Sequence, residues 1–174
     1  DDNTKPLYMI GCINEIGERQ KADNVSGLLG ETGFRQYMDQ QDTPLETGYL
    51  LRIGIDHFKE INDNFGQEYG DFVLRKTADC ISGYISQAQK VYKLVADEFL
   101  ILDVSSDEVK DADKLYDKVR NEIDRFIESN EFKVIYTVSG GIVPFAALKG
   151  NQYSEALKLT DFALNEAKKL GRNR

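Results

Sequence analysis

Asp97 and Glu98 stand side by side between two apolar runs, in the stretch VYKLVADEFLILDV from Val91 to Val104. Apolar alternation on both sides of a short Ala96-Asp97-Glu98 turn predicts a β-hairpin with two carboxylates at its tip. Hard divalent cations take oxygen ligands, so adjacent carboxylates there suit a cation or the phosphate that a cation carries. The same residues also read as a solvated acidic turn. By itself the hairpin leaves both readings open.

More polar positions recur at fixed places along the chain. Asp23-Asn24-Val25-Ser26-Gly27-Leu28 comes first, followed by Ile55-Asp56-His57-Phe58-Lys59-Glu60-Ile61-Asn62-Asp63-Asn64-Phe65-Gly66 and then Gly70-Asp71. Val138-Ser139-Gly140-Gly141-Ile142 and the segment from Asp161 to Asn173, DFALNEAKKLGRN, close the series. In this order, from Asp23 to Asn173, the set resembles the GGDEF family, the bacterial diguanylate cyclases. Val95-Ala96-Asp97-Glu98-Phe99 stands where that family has Gly-Gly-Asp/Glu-Glu-Phe, so the signature is degenerate at both glycines.

The resemblance implies a palm-like, nucleotidyl-cyclase-type α/β (α+β) fold, with a central mixed or antiparallel sheet flanked by helices. It also implies two domains meeting head to head, each with one GTP, to form cyclic di-GMP by two-metal phosphoryl transfer. Mg²⁺ or Mn²⁺ is then expected only together with nucleotide. Asp97 and Glu98 are the catalytic remnants, and Asp97 is the one retained metal ligand. The family's other metal ligand is the first Asp of Asp-x-Asp-x-Phe-Lys, a position held here by Gly54. Asn62 and Asp71 match the residues that bind the guanine edge. Phe58 and Lys59 lie on the strand-to-helix motif, and Lys59, Lys168 and Arg172 match phosphate contacts. The family's feedback motif, Arg-x-x-Asp, falls on Ser86 and Gln89, so product binding there is not expected.

Gly54 removes a charged ligand, and Val95 and Ala96 place β-carbons where bare backbone would approach phosphate. Both changes bear on one step and argue against cyclase chemistry. Asp56 is no substitute ligand and reads as a helix cap or a structural residue. His57 reads as ordinary structure at the junction. The favoured function is a catalytically degenerate regulatory module in cyclic di-GMP signalling that binds GTP or GDP. An active diguanylate cyclase and a non-binding dimerisation module are the alternatives.

A chain of 174 residues is ordinary for one α/β domain. The net charge of -8 argues against a nucleic-acid surface, because phosphate backbones attract clustered Lys and Arg. Cys12 and Cys80 are far apart, as expected of two reduced thiols in a cytoplasmic protein. No run is long and apolar enough to span a membrane, although a longer protein could carry an anchor elsewhere. The first residue is Asp1 and not Met, which suggests an excised piece. A sensor or EAL domain is the neighbour expected in the full-length protein, and a second copy is the expected partner.

Residues 1–22 read as an N-terminal linker and 23–174 as the GGDEF-like domain. Leu7 to Asn14 predicts a short strand and Glu15 to Lys21 a connector or helix. LYMIGCINEIGERQKAD resembles the end of a PAS sensor domain, and a strand and helix of this same domain is the other reading. Further along, helices are predicted over Gly33 to Gln40, Asp71 to Ile85, Ser106 to Glu128 and Ser154 to Leu170. The Asp107 to Glu128 segment reads as a solvated face. Strands are predicted over Tyr49 to Ile55 and Lys133 to Val143.

Overall fold

The computed structural model describes residues 22–106, 108–129 and 133–174. The strand and connector expected within residues 7–21, and Cys12, lie outside the described residues. Ten named strands and helices follow in order: β1 Leu29–Gly30, α1 Glu31–Asp39, β2 Tyr49–Ile55, α2 Phe58–Phe65, α3 Gln67–Ser82, β3 Gln89–Lys93, β4 Glu98–Asp103, α4 Val109–Glu128, β5 Val138–Pro144 and α5 Gln152–Lys169. A single 3-10 turn, Phe145–Ala147, leads from β5 toward α5.

The strands form one mixed sheet in the order β1-β3-β4-β2-β5. Only β1 and β3 run parallel. The other pairs are antiparallel, and β2 lies between β4 and β5. Every residue of β2 is buried, which explains its nearly continuous apolar run YLLRIGI.

Alternation along β2 divides the core in two. Tyr49, Leu51, Ile53 and Ile55 pack on one face with Ile61 of α2, Val73 and Ile81 of α3, and Val119 and Ile123 of α4. Leu50 faces the other way and joins Leu100, Leu102, Phe34 of α1 and Ala156 of α5. Arg52 and Gly54 share that second face by the period of two. The mixed sheet flanked by helices is the architecture expected.

Several boundaries differ from the sequence reading for physical reasons. The helix expected from Asp71 begins at Gln67, directly after Gly66, and ends at Ser82. The helix expected from Ser106 begins at Val109, while Ser106 stays outside it and its hydroxyl donates to Asp111 Oδ2 at 2.5 Å. This α4 is not a solvated face throughout, since Ala112, Leu115, Tyr116, Val119 and Ile123 are buried. The strand expected from Lys133 starts at Val138, the residue opposite Ile55 at the end of β2, so residues before it have no partner strand there.

Candidate functional site

The end of β2 and the β3–β4 hairpin meet edge to edge. Gly54 is directly opposite Glu98 in the antiparallel register. The Ile55 amide donates to the Asp97 carbonyl at 3.3 Å, which ties the turn to the strand end. The two carboxylates do not share the tip. Asp97 lies in the turn, whereas Glu98 is the first residue of β4 and its carboxylate is taken by Arg52. Arg52 Nε donates to Glu98 Oε2 at 2.7 Å, and Nη2 contacts the same oxygen. Arg52 also donates to the Leu157 carbonyl at 3.1 Å and lies 3.4 Å from Asp161 Oδ1, so the guanidinium joins the hairpin to α5. Its side chain is only 8% exposed.

Gly54 leaves a space that Lys168 reaches into from α5. A Cβ built on Gly54 would stand 3.1 Å from Lys168 Nζ and 3.1 Å from Leu164 Cδ2. The ammonium acts on Asp97 too. Burial pushes the Asp97 carboxyl above its ordinary value, Lys168 pulls it down, and Glu98 pushes it up again. Beneath the turn, Lys93 is buried and donates to the Leu94 carbonyl at 2.9 Å and to the Ala96 carbonyl. Burial lowers the Lys93 ammonium, although Asp23, Asp97 and Glu98 oppose that shift. Ala96 keeps a left-handed backbone, φ 53°, which is a conformation that glycine tolerates best.

Asp56 closes the strand end. Its carboxylate accepts from Thr137 Oγ1 and Ser139 Oγ, each at 2.7 Å, and from the Asn173 amide at 3.3 Å. Arg172 Nε is 4.0 Å from Asp56 Oδ1. Asp56 is therefore structural and does not cap α2. The N-cap is His57, φ 58°, with no side-chain cap, and its ring Nδ1 meets Glu60 Oε1 at 2.7 Å. Uncapped first-turn amides make a helix N-terminus a donor for anions. Phe58 and Lys59 open that turn. Lys168, Arg172 and the start of α2 thus gather around residues 54–59.

Asn62 and Asp71 lie on adjacent helices, α2 and α3. Asn62 Oδ1 is buried without a hydrogen-bond partner among the described residues. It packs against Gly70, where an added Cβ would stand 1.8 Å away. Asp71 is half-buried on the next residue. At the feedback position, Gln89 Nε2 donates to Asp103 Oδ2 at 2.7 Å and to Tyr49 Oη at 3.3 Å, and its Oε1 accepts from the Ser86 amide at 2.9 Å. These residues serve the fold.

A divalent cation does not fit the residues beside Asp97. Position 54 supplies no carboxylate, its space faces the Lys168 ammonium, and the Glu98 carboxylate faces Arg52. Among the described residues no group of three His, Cys, Asp or Glu is placed to hold a metal ion. Cys80 is buried, and its thiol is pushed up to about 12 by burial, then by Glu122 and Asp79, which leaves it unreactive. Sequence reasoning missed Arg52, Lys93 and Asp161. A lone Arg within the apolar run YLLRIGI was the one available signal.

The chain belongs to the GGDEF family: the family described as Diguanylate cyclase, GGDEF domain matches residues 20–174. It is 28% identical to the diguanylate cyclase VdcA of Vibrio cholerae over 156 residues, covering 87% of this chain and 45% of VdcA. The coiled coil and GGDEF domain of DgcB from Caulobacter crescentus, in complex with c-di-GMP, superposes with a TM-score of 0.82 at 22% identity, covering all of this chain and 94% of that one. The S helix-GGDEF-EAL structure of Vibrio cholerae LapD gives 0.74 at 20% identity, with 94% of this chain and 38% of that one covered. The chain spans about half the length of the curated relatives it matches. Among the described residues, no helix is long and apolar enough to cross a membrane.

Proposed function

We propose that this GGDEF domain is a regulatory module of cyclic di-GMP signalling that binds a guanine nucleotide and does not condense it. The observation that carries this reading is the Lys168 ammonium beside Gly54. Condensation needs a cation that polarises the α-phosphate and lowers the pKa of the attacking hydroxyl. A fixed ammonium supplies charge for binding, but a single unit of it, and it cannot clamp two oxygens as paired metals do. Glu98, held by Arg52, is withdrawn from the same task.

Binding is supported by what the chain retains. Lys59, Lys168, Arg172 and the uncapped start of α2 could meet phosphates. Phe58 begins that helix, and Asn62 and Asp71, on adjacent helices, are the residues this reading assigns to the base edge. A carboxylate that accepts from guanine N1 and N2 discriminates against adenine, which lacks those donors. Mg²⁺ or Mn²⁺ could arrive only as part of the nucleotide complex. The unit responsible is residues 23–174, with 1–22 as its linker from an upstream sensor such as a PAS domain. An EAL domain, as in LapD, is a fitting neighbour, and a second copy is a fitting partner. The absence of a membrane-crossing helix among the described residues suits a cytoplasmic placement of this segment.

Calorimetry with GTP, GDP and ATP tests the reading. GTP or GDP should bind and ATP should bind at least tenfold more weakly, and Asp71→Ala should cost guanine binding about tenfold. Equal ATP binding, or an unchanged Asp71→Ala variant, would show that the retained residues only support the fold.

A further inference from the structure

We infer that this site takes its polyphosphate without a divalent cation, Arg52 and Lys93 being spent on the carboxylates and carbonyls of the turn and Lys168 being left to meet the phosphates. The inference rests on the nucleotide-binding reading and specifies how the charge is met.

The first ground is geometric. Of the carboxylates that could ligate a cation here, one is missing and one is already engaged. Position 54 has no side-chain oxygen, and the Glu98 carboxylate accepts from a guanidinium that is itself anchored by the Leu157 carbonyl and Asp161. Asp97 stands alone in the turn. One carboxylate gives a hard cation neither the charge nor the ligand number it requires.

The second ground is the charge balance. The acidic groups around the turn are Asp23, Asp97, Glu98 and Asp161, and the basic ones are Arg52, Lys93 and Lys168. Four against three leaves one formal negative charge. Asp23 is further occupied by the Val25 and Ser26 amides and the Ser26 hydroxyl. Three fixed cations thus match all but one of the four carboxylates, which leaves a doubly charged ion a single uncompensated negative charge against its loss of hydration. An anion meets donors instead, at Lys168, at the uncapped amides of α2 and at Arg172, whose Nε stands 4.0 Å from the buried Asp56 carboxylate.

Arg52 is a positioning residue in this scheme. It does not touch the ligand but removes Glu98 from cation duty and fixes α5, the helix that carries Lys168. Lys168 makes the phosphate contact.

Two titrations of the 174-residue chain decide the matter. In the first, Mn²⁺ is added without nucleotide and bound ion is counted by electron paramagnetic resonance. No binding at up to about 1 mM ion is expected, since that concentration corresponds to only about 4 kcal/mol. One ion bound per chain in this range would overturn the inference. In the second, GTP is titrated in EDTA and in excess Mg²⁺. The two affinities should agree within about twofold, and Lys168→Ala should weaken binding in EDTA by about tenfold. A tenfold gain from Mg²⁺, or an unaffected Lys168→Ala variant, would overturn it. Absence of GTP binding in both buffers would overturn the nucleotide reading and with it this polyphosphate site. The Mn²⁺ count would then show separately whether the cation misfit holds.

Discussion

Arg52 and Glu98 stand diagonally across the β2–β4 pair, Arg52 opposite Leu100 and Glu98 opposite Gly54, with Nε 2.7 Å from Oε2. The pair is largely buried, with side chains 8% and 16% exposed. Removing one member leaves the other charge desolvated, so Arg52→Leu should destabilise the domain by about 3–5 kcal/mol. Arg52→Leu with Glu98→Gln should cost clearly less than the two single changes added together, because they share one interaction. Urea denaturation of all three variants measures this, and additive losses would mean that the two residues do not depend on each other.

Ala96 is held at φ 53°, where an L side chain is strained. Relief of that strain outweighs the extra freedom glycine has when unfolded, so Ala96→Gly should stabilise the domain by about 0.5–1 kcal/mol. Thermal unfolding checks the sign. An unchanged or lower midpoint would show that the turn tolerates alanine at no cost.

At Gly70 an added Cβ would stand 1.8 Å from Asn62 Oδ1. Gly70→Ala should therefore push Asn62 out of place, with an overpacking cost of about 1–3 kcal/mol and a guanine affinity reduced about tenfold. Calorimetry with GTP next to a melting curve separates the two effects. Wild-type affinity in the variant would remove Asn62 from the binding site.

The Asp97 carboxyl is raised above its ordinary value of 3.8, mainly by burial. Between those two values the folded chain keeps a proton that the unfolded chain has lost, so stability falls as pH rises through that window. At neutral pH the ionised carboxylate is thus a cost. Asp97→Asn should melt higher than wild type at pH 7, and the difference should close as pH falls toward about 4. Melting curves across this range check it, and a variant less stable at pH 7 would contradict the assignment.

Much of the fold was legible because its signals are local. The Tyr49 to Ile55 run, apolar but for Arg52, the paired runs flanking Ala96 and the stripe on Asp71 to Ile85 each state their period directly. The ends were less so. Where β5 begins depends on where β2 ends, and where α4 begins depends on how Ser106 engages Asp111. The site divided in the same way. Gly54, Val95 and Ala96 announced a loss by residue type alone. What replaced it did not, because Arg52 on β2 meets Asp161 on α5 only in the folded chain, and only there does Lys168 stand beside Gly54. Asp56 read as a cap because it precedes a helix, yet its partners Thr137, Ser139 and Asn173 are more than 80 residues away in sequence.

The most direct test of the account is product formation. The chain is incubated with GTP and either Mg²⁺ or Mn²⁺, and the mixture is resolved by chromatography. The predicted result is no cyclic di-GMP above a protein-free control with either ion. Cyclic di-GMP that accumulates with wild type and disappears with Asp97→Ala and with Glu98→Ala would contradict it, since the turn would then be catalysing the condensation in spite of Gly54, Lys168 and Arg52.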